Sequence, residues 1–260
     1  ITINMIFGGN KLWHFEEAPE IDWAEMFATM YFLQWMKSIA SVYEPGAHFE
    51  YYSEDVVLET MNNLPRNETD RYSETFINML DWIKPFLPPR VSISYKRYGD
   101  EYVTRDDYLA ELEEAKKKVF EELGGKLPVL TDQQKYATEL NVKLRPGQAD
   151  DPQWREKVEL IHQSIERTKT LERYINDLTM IPACPTYYAG WAIATGSTRK
   201  SYAKFWVAVG ALERKGEKFT EVVLTPRQLS SAEFVWEDVH IEGLTGKNFN
   251  KIRILTKPLS

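Results

Sequence analysis

The stretch ITINMIFGGNK, residues 1–11, decides how the rest of the chain is read. Ile1, Ile3, Met5 and Phe7 alternate with Thr2, Asn4 and Ile6, the two-residue period of a strand. Gly8-Gly9 ends it. Two glycines in a row accept backbone angles that other residues avoid, which allows a tight turn or a close approach to a ligand. Asp22 then opens a helix, and Glu25 three positions on completes the pattern of a capping box. Trp23, Met26, Phe27, Met30, Tyr31, Leu33, Met36, Ile39 and Val42 cover most of that helix, so it is expected to be largely buried. Pro45-Gly46 stops it, and Ala47 to Tyr52 reads as a second strand.

The pattern continues. Ser53 is expected to cap a helix from Asp55 to Asn62. Asn67 is expected to cap the next, with Tyr72, Phe76, Met79, Leu80 and Ile83 on its apolar stripe. Val91, Ile93 and Tyr95 alternate in a third strand. Strand, helix, strand, helix, strand is the order of a doubly wound α/β sheet, and crossovers of this length make parallel pairing the default.

The middle is helical. Thr104 to Leu123 carries Leu109, Leu112, Ala115, Val119 and Leu123 on one stripe, residues 145–153 read as a loop, and Trp154 to Leu178 reads as one long helix. Residues 104–180 are therefore expected to form a helical insertion or subdomain within a single α/β domain spanning 1–260. The C-terminal part returns to strands at Trp191 to Thr195, Ala203 to Leu212, Phe219 to Leu224, Phe234 to Trp236 and Ile252 to Leu255. Arg214-Lys215-Gly216-Glu217 reads as a hairpin turn.

Bulk properties narrow the function classes. The 260 residues are 43% apolar and 13% aromatic, enough for a substantial core. The formal net charge of −7 weighs against nucleic-acid binding, which draws on a basic face. No apolar run reaches the roughly 18–20 residues of a membrane-spanning helix. Cys184, the one cysteine, permits no intrachain disulfide and suits a reducing compartment, so a cytoplasmic location is expected. The sequence opens at Ile1 directly on a strand without a methionine, and residues are expected to precede it.

Three places could carry chemistry. Gly8-Gly9-Asn10-Lys11 follows a strand and so stands at the carboxyl edge of the sheet, where open α/β sheets bind ligands. Lys11 suits a phosphate or carboxylate; a glycine turn with a surface lysine is the plain alternative. Ser53-Glu54-Asp55 follows the second strand at the same edge. There Ser53 and Asp55 either cap the next helix or hold a substrate hydroxyl or amine. The run from Thr195 through Ser197, Arg199 and Lys200 to Lys204 joins small hydroxyl residues to cations, as a phosphate site does. An exposed basic turn fits the same residues. Tyr187, Tyr188 and Trp191 beside it suit an apolar substrate pocket. His14, His48, His162 and His240 lie far apart with no metal-ligand spacing, and no metal or other cofactor is expected.

The N-terminal order resembles the pyoverdine/dityrosine biosynthesis family, which includes the isocyanide synthases. The residues that carry the likeness run from Pro19-Glu20-Ile21-Asp22-Trp23-Ala24-Glu25 and its helix through Tyr43-Glu44-Pro45-Gly46-Ala47. They continue with a strand ending in Ser53-Glu54-Asp55 and a helix containing Asp70-Arg71-Tyr72. The likeness covers residues 1–80. Further on, Ser197 to Phe205 stands where the family has a Ser-Ile-His segment followed by a lysine, and Thr225-Pro226-Arg227-Gln228 where it has Thr-Pro-Trp-His. The resemblance implies a Rossmann-like fold and an enzyme joining an amino acid's amine to a carbon of a phosphorylated sugar such as ribulose 5-phosphate. It implies Lys11, Asp55 and Lys204 as catalytic residues. Lys11, Arg199, Lys200 and Lys204 would face the phosphate, Ser53 and Asp55 would be polar anchors, and the Tyr187–Trp191 segment would face the amino-acid side chain. Two alternatives remain beside it. One is a non-catalytic binding or assembly protein, homo-oligomeric or not, that uses the 104–180 helices as a partner surface. The other is a nucleotide or RNA enzyme, against which the acidic balance weighs.

Overall fold

A computed structural model describes residues 2–7, 15–53, 55–97, 104–168, 209–224 and 226–257. The chain is mixed α/β. Strand β1 (Thr2–Phe7) leads, through residues outside that set, to helix α1 (Trp23–Val42), strand β2 (Ala47–Ser53), helices α2 (Asp55–Met61) and α3 (Arg66–Ile83), and strand β3 (Val91–Arg97). Helices α4 (Arg105–Glu122), α5 (Asp132–Asn141) and α6 (Trp154–Ile165) follow. The C-terminal part holds strands β4 (Val209–Lys215) and β5 (Lys218–Leu224), helix α7 (Pro226–Ser231), and strands β6 (Phe234–Asp238) and β7 (Lys251–Leu255).

The first three strands form a parallel sheet in the order β1-β2-β3. In register, Phe7 pairs with Ser53 and Ser53 with Arg97, so the carboxyl ends of all three strands finish level. The later strands form a second, mixed sheet in the order β5-β4-β7-β6, in which β4 and β7 run parallel. Among the described residues, the C-terminal strands thus build a sheet of their own. The turn expected at residues 214–217 closes the β4–β5 hairpin, with Lys215 opposite Lys218 and Gly216 at φ +66°.

Helix α1 lies against both sheets. Its start is fixed by the expected capping box: Asp22 accepts from the Ala24 N–H at 2.7 Å, and Glu25 accepts from the Asp22 N–H at 2.8 Å. Ala28, Phe32, Met36 and Ala40 pack on the parallel sheet, with the Phe32 ring stacked on Phe49 at 5.4 Å. At its other contact, Gly210 of β4 abuts the first turn. A Cβ at Gly210 would lie 2.5 Å from the Ala24 nitrogen, so only glycine fits this approach. The helix is not apolar-buried all round: Met30 is 46% and Val42 87% exposed, because α1 meets its neighbours on part of its circumference only.

Helix α3 covers the same face of the parallel sheet, burying Tyr72, Phe76, Met79, Leu80 and Ile83. Its cap is Pro65, not Asn67. Pro65 has the extended backbone of an N-cap, and the helix is already under way at Arg66. Helix α4 buries Tyr108, Leu112, Ala115 and Val119; the expected Leu109 is exposed, one position off the stripe. The long helix expected over 154–178 ends at Ile165. There the Arg167 and Thr168 N–H groups turn back to the Ser164 and Ile165 carbonyls, and the Thr168 hydroxyl also bonds to the Ile165 carbonyl. Helix α5 falls inside the expected helical region, though the sequence reading does not single it out. Thr131 and Gln134 supply its capping box, a pattern present in the sequence. Residues 145–153 include a short 3-10 turn, Gln148–Asp150.

Candidate functional site

The level carboxyl ends of β1, β2 and β3 gather a polar cluster on one edge of the parallel sheet. Ser53 closes β2 and Asp55 opens α2, so both expected residues stand at this edge. Asp55 is fully buried. Its carboxylate accepts from Arg97 Nε at 2.8 Å and from Arg105 Nη2 at 3.3 Å. Arg97 closes β3 directly beside Ser53 in register, and Arg105 is the first residue of α4. Each side chain remains 19% exposed, so the guanidinium groups sit between the interior and solvent.

The network extends through a second pair of carboxylates. Arg97 Nη2 donates to Asp70 of α3 at 2.7 Å, and Arg105 also pairs with Glu59 of α2. Glu59 accepts from the Thr69 hydroxyl at 2.6 Å. Burial opposes the charge on Arg97, but its bonds to Asp70 and Asp55 outweigh that penalty and raise its pKa. Among the described residues, Asp55, Asp70 and Glu59 meet Arg97 and Arg105, and Asp70 also lies 3.8 Å from Arg66. The cluster holds Asp55 through two charge-assisted hydrogen bonds.

Beneath it lies a layer of hydroxyls. Tyr95 bonds to the Ser73 hydroxyl at 2.9 Å, and burial drives its pKa up to about 12, moderated by Ser53 and Ser73. Ser53 Oγ is buried beside Tyr95 without a hydrogen bond of normal geometry. Tyr51 donates to Thr29 of α1 at 3.1 Å. Tyr72 is completely buried and its hydroxyl has no partner among the described residues; burial, reinforced by Glu25, raises its pKa well above the usual phenol value. Buried hydroxyls are normally paired, so Ser53 and Tyr72 mark this edge as unusual.

Among the expected site residues, Ser53 and Asp55 are the two that the structure describes, and they stand at the end of β2 and the start of α2. Gly8, Gly9, Asn10, Lys11, Tyr187, Trp191, Ser197, Arg199, Lys200 and Lys204 lie outside the described residues, as does the Trp191 to Thr195 strand. The structure adds Arg97, Arg105, Glu59 and Asp70. Arg97 had one signal in the sequence, its place just after the alternation of the third strand; its pairing with Asp55 had none. Among the described residues, no three or more His, Cys, Asp or Glu side chains group as metal ligands, and no helix is long and apolar enough to cross a membrane.

No protein-family model matches the sequence, and no curated protein matches it. Among solved structures, the chain is similar to the PvcA protein from Pseudomonas aeruginosa, at 12% identity and a TM-score of 0.43. That match covers 97% of this chain and 85% of the other.

Proposed function

We propose that the protein is a small-molecule biosynthetic enzyme of the isocyanide synthase type, acting on an amino acid and a phosphorylated sugar or similar anionic substrate. The reading is carried by Asp55 and Ser53, which lie within the segment resembling that family and stand at the carboxyl edge of the parallel sheet, where α/β folds bind ligands. In this reading Asp55 is a fixed carboxylate, oriented by Arg97 and Arg105 toward the substrate amine or a hydroxyl. In the same reading the cations for a phosphate are Lys11, Arg199, Lys200 and Lys204. Positioning of two reactants is the protein's main contribution to rate.

The test is a thermal-shift screen with ribulose 5-phosphate, other sugar phosphates, nucleotides and aromatic amino acids. A ligand that binds only the folded state at 100 times its Kd adds about 2.7 kcal/mol of apparent stability. A response to a sugar phosphate that disappears in Lys204→Ala is the expected result. No response to any phosphorylated compound would sink the proposal.

A second reading, an assembly protein, draws on α4 and the loop after it. Leu109, Phe120 and Leu123 are each 37% exposed or more, and Val129 is 95% exposed. Light scattering that gives a monomer at every concentration counts against it.

A further inference from the structure

On the face of the parallel sheet opposite Phe49 and Tyr51, five side chains of β2 and β3 join in one line. His48 Nδ1 lies 2.8 Å from Ser92 Oγ, and His48 Nε2 lies 2.9 Å from Ser94 Oγ. Ser94 Oγ donates to Glu50 Oε2 at 3.2 Å. Lys96 Nζ lies 3.4 Å from the same oxygen. The strand register sets this up, since His48 faces Ser92 and Glu50 faces Ser94.

The proton inventory gives the line a direction. A serine hydroxyl has one hydrogen, and a neutral imidazole has one N–H and one bare nitrogen. Ser94 spends its hydrogen on Glu50, so it must accept from His48 Nε2–H. His48 Nδ1 is then bare and accepts from the Ser92 hydroxyl. The exposed end of the line is Ser92, and its far end is a carboxylate. A nucleophile bonded to a base, and the base held by a third group, is the arrangement that activates serine.

We infer that Ser92 is an activated nucleophile, with His48 as its general base and Ser94 and Glu50 as positioning residues, and that it takes the acyl group of a small carboxylic ester. The Ser92 Oγ–carbon bond forms as its proton passes to His48 Nδ1. The ester C–O bond then breaks, and the departing alkoxide leaves with that proton. Water hydrolyses the acyl-serine, His48 taking and returning a proton in the same way, which releases the acid and restores Ser92. The imidazolium formed in between lies 3.8 Å from Glu50 Oε2. This line sits toward the amino ends of the strands. It is five residues, roughly 16 Å at about 3.3 Å per residue, from Ser53, and so it does not depend on the function proposed above.

The experiment is labelling of the intact protein with a fluorophosphonate probe, which forms an oxygen–phosphorus bond and expels fluoride, followed by peptide mapping. Turnover of p-nitrophenyl acetate is followed in parallel. Expected are one label, on Ser92, and none in Ser92→Ala. Labelling and turnover should fall about 100-fold or more in His48→Ala, as loss of a general base predicts. They should fall roughly tenfold in Ser94→Ala, which leaves His48 in place but without its orienting partner, and recover in Ser94→Thr, which keeps the hydroxyl. A purely structural cross-strand ladder would not distinguish those last two variants. The inference is overturned if the wild-type protein does not label at Ser92, a result that needs no variant to fold. It is equally overturned if Ser94→Ala and His48→Ala label as fast as wild type.

Discussion

Asp55 is completely buried at the start of α2, and Arg97, 42 residues later at the end of β3, donates to it at 2.8 Å. One bond therefore ties the first helix after the second strand to the last residue of the third. Removing the carboxylate leaves two largely buried guanidinium groups short of a partner. Asp55→Ala is expected to lower stability by about 3 kcal/mol, at the low end for a broken buried pair because both arginines keep some solvent. Asp55→Asn should cost less, since it can still accept. Urea unfolding of the three proteins checks the order; equal midpoints would show that the pairing contributes nothing.

The closest approach between α1 and the mixed sheet depends on Gly210. In Gly210→Ala the added methyl would meet the backbone of Trp23 and Ala24, each at 2.5 Å. Overpacking of this kind costs about 1–3 kcal/mol. For a chain of this size that is a drop of roughly 2–4 °C in Tm per kcal/mol. A calorimetric scan with an unchanged Tm would mean that the helix can shift away freely.

Asn248 holds the segment before α1 in place. Its amide Nδ2 donates to the Glu17 carbonyl at 2.9 Å and the Ile21 carbonyl at 2.9 Å. Asn248→Ala should destabilise by about 1–3 kcal/mol, because buried acceptors lose their donor. Amide exchange in residues 17–22 should speed up more than in β2, and uniform exchange in the two regions would contradict this.

Alkaline pH should unfold the protein through its buried phenols. In the unfolded chain a tyrosine ionises near pH 10. Tyr95 ionises at about 12 in the folded state, and Tyr72 is shifted upward as well. The folded state thus holds the proton where the unfolded state has lost it. Stability is intact below pH 10 and falls as pH rises from about 10 toward 12. Absorbance at 295 nm should show part of the 14 tyrosines ionising only together with loss of near-ultraviolet circular dichroism. Complete ionisation near pH 10 with the fold intact would be the opposite result.

Local features were legible in the sequence and long-range ones were not. Asp22 and Glu25 declared the start of α1 because a capping box is complete within four residues. Ser53 and Asp55 could be assigned to the sheet edge from strand order alone. Their partners Arg97 and Arg105 are 42 and 50 residues from Asp55, and no periodicity reports such a pairing. The helix begun at Trp154 was read too long, since apolar spacing continues to Leu178 while the break at Ile165 is made by backbone turns and the Thr168 hydroxyl. The Ser92–His48 line was missed for a related reason. Its members are ordinary polar residues on strand faces, and only the register of β2 with β3 brings them together.

Helix α1 has a consequence for how the molecule comes apart. It packs on the parallel sheet through Phe32 and on the mixed sheet at Gly210, so neither sheet can lose its cover without exposing the other. The two halves, separated by more than a hundred residues of chain, are thereby energetically linked. A lesion on one side of this common wall is paid for on both. Hydrogen exchange should accordingly find β2 and β4 opening in a single cooperative event.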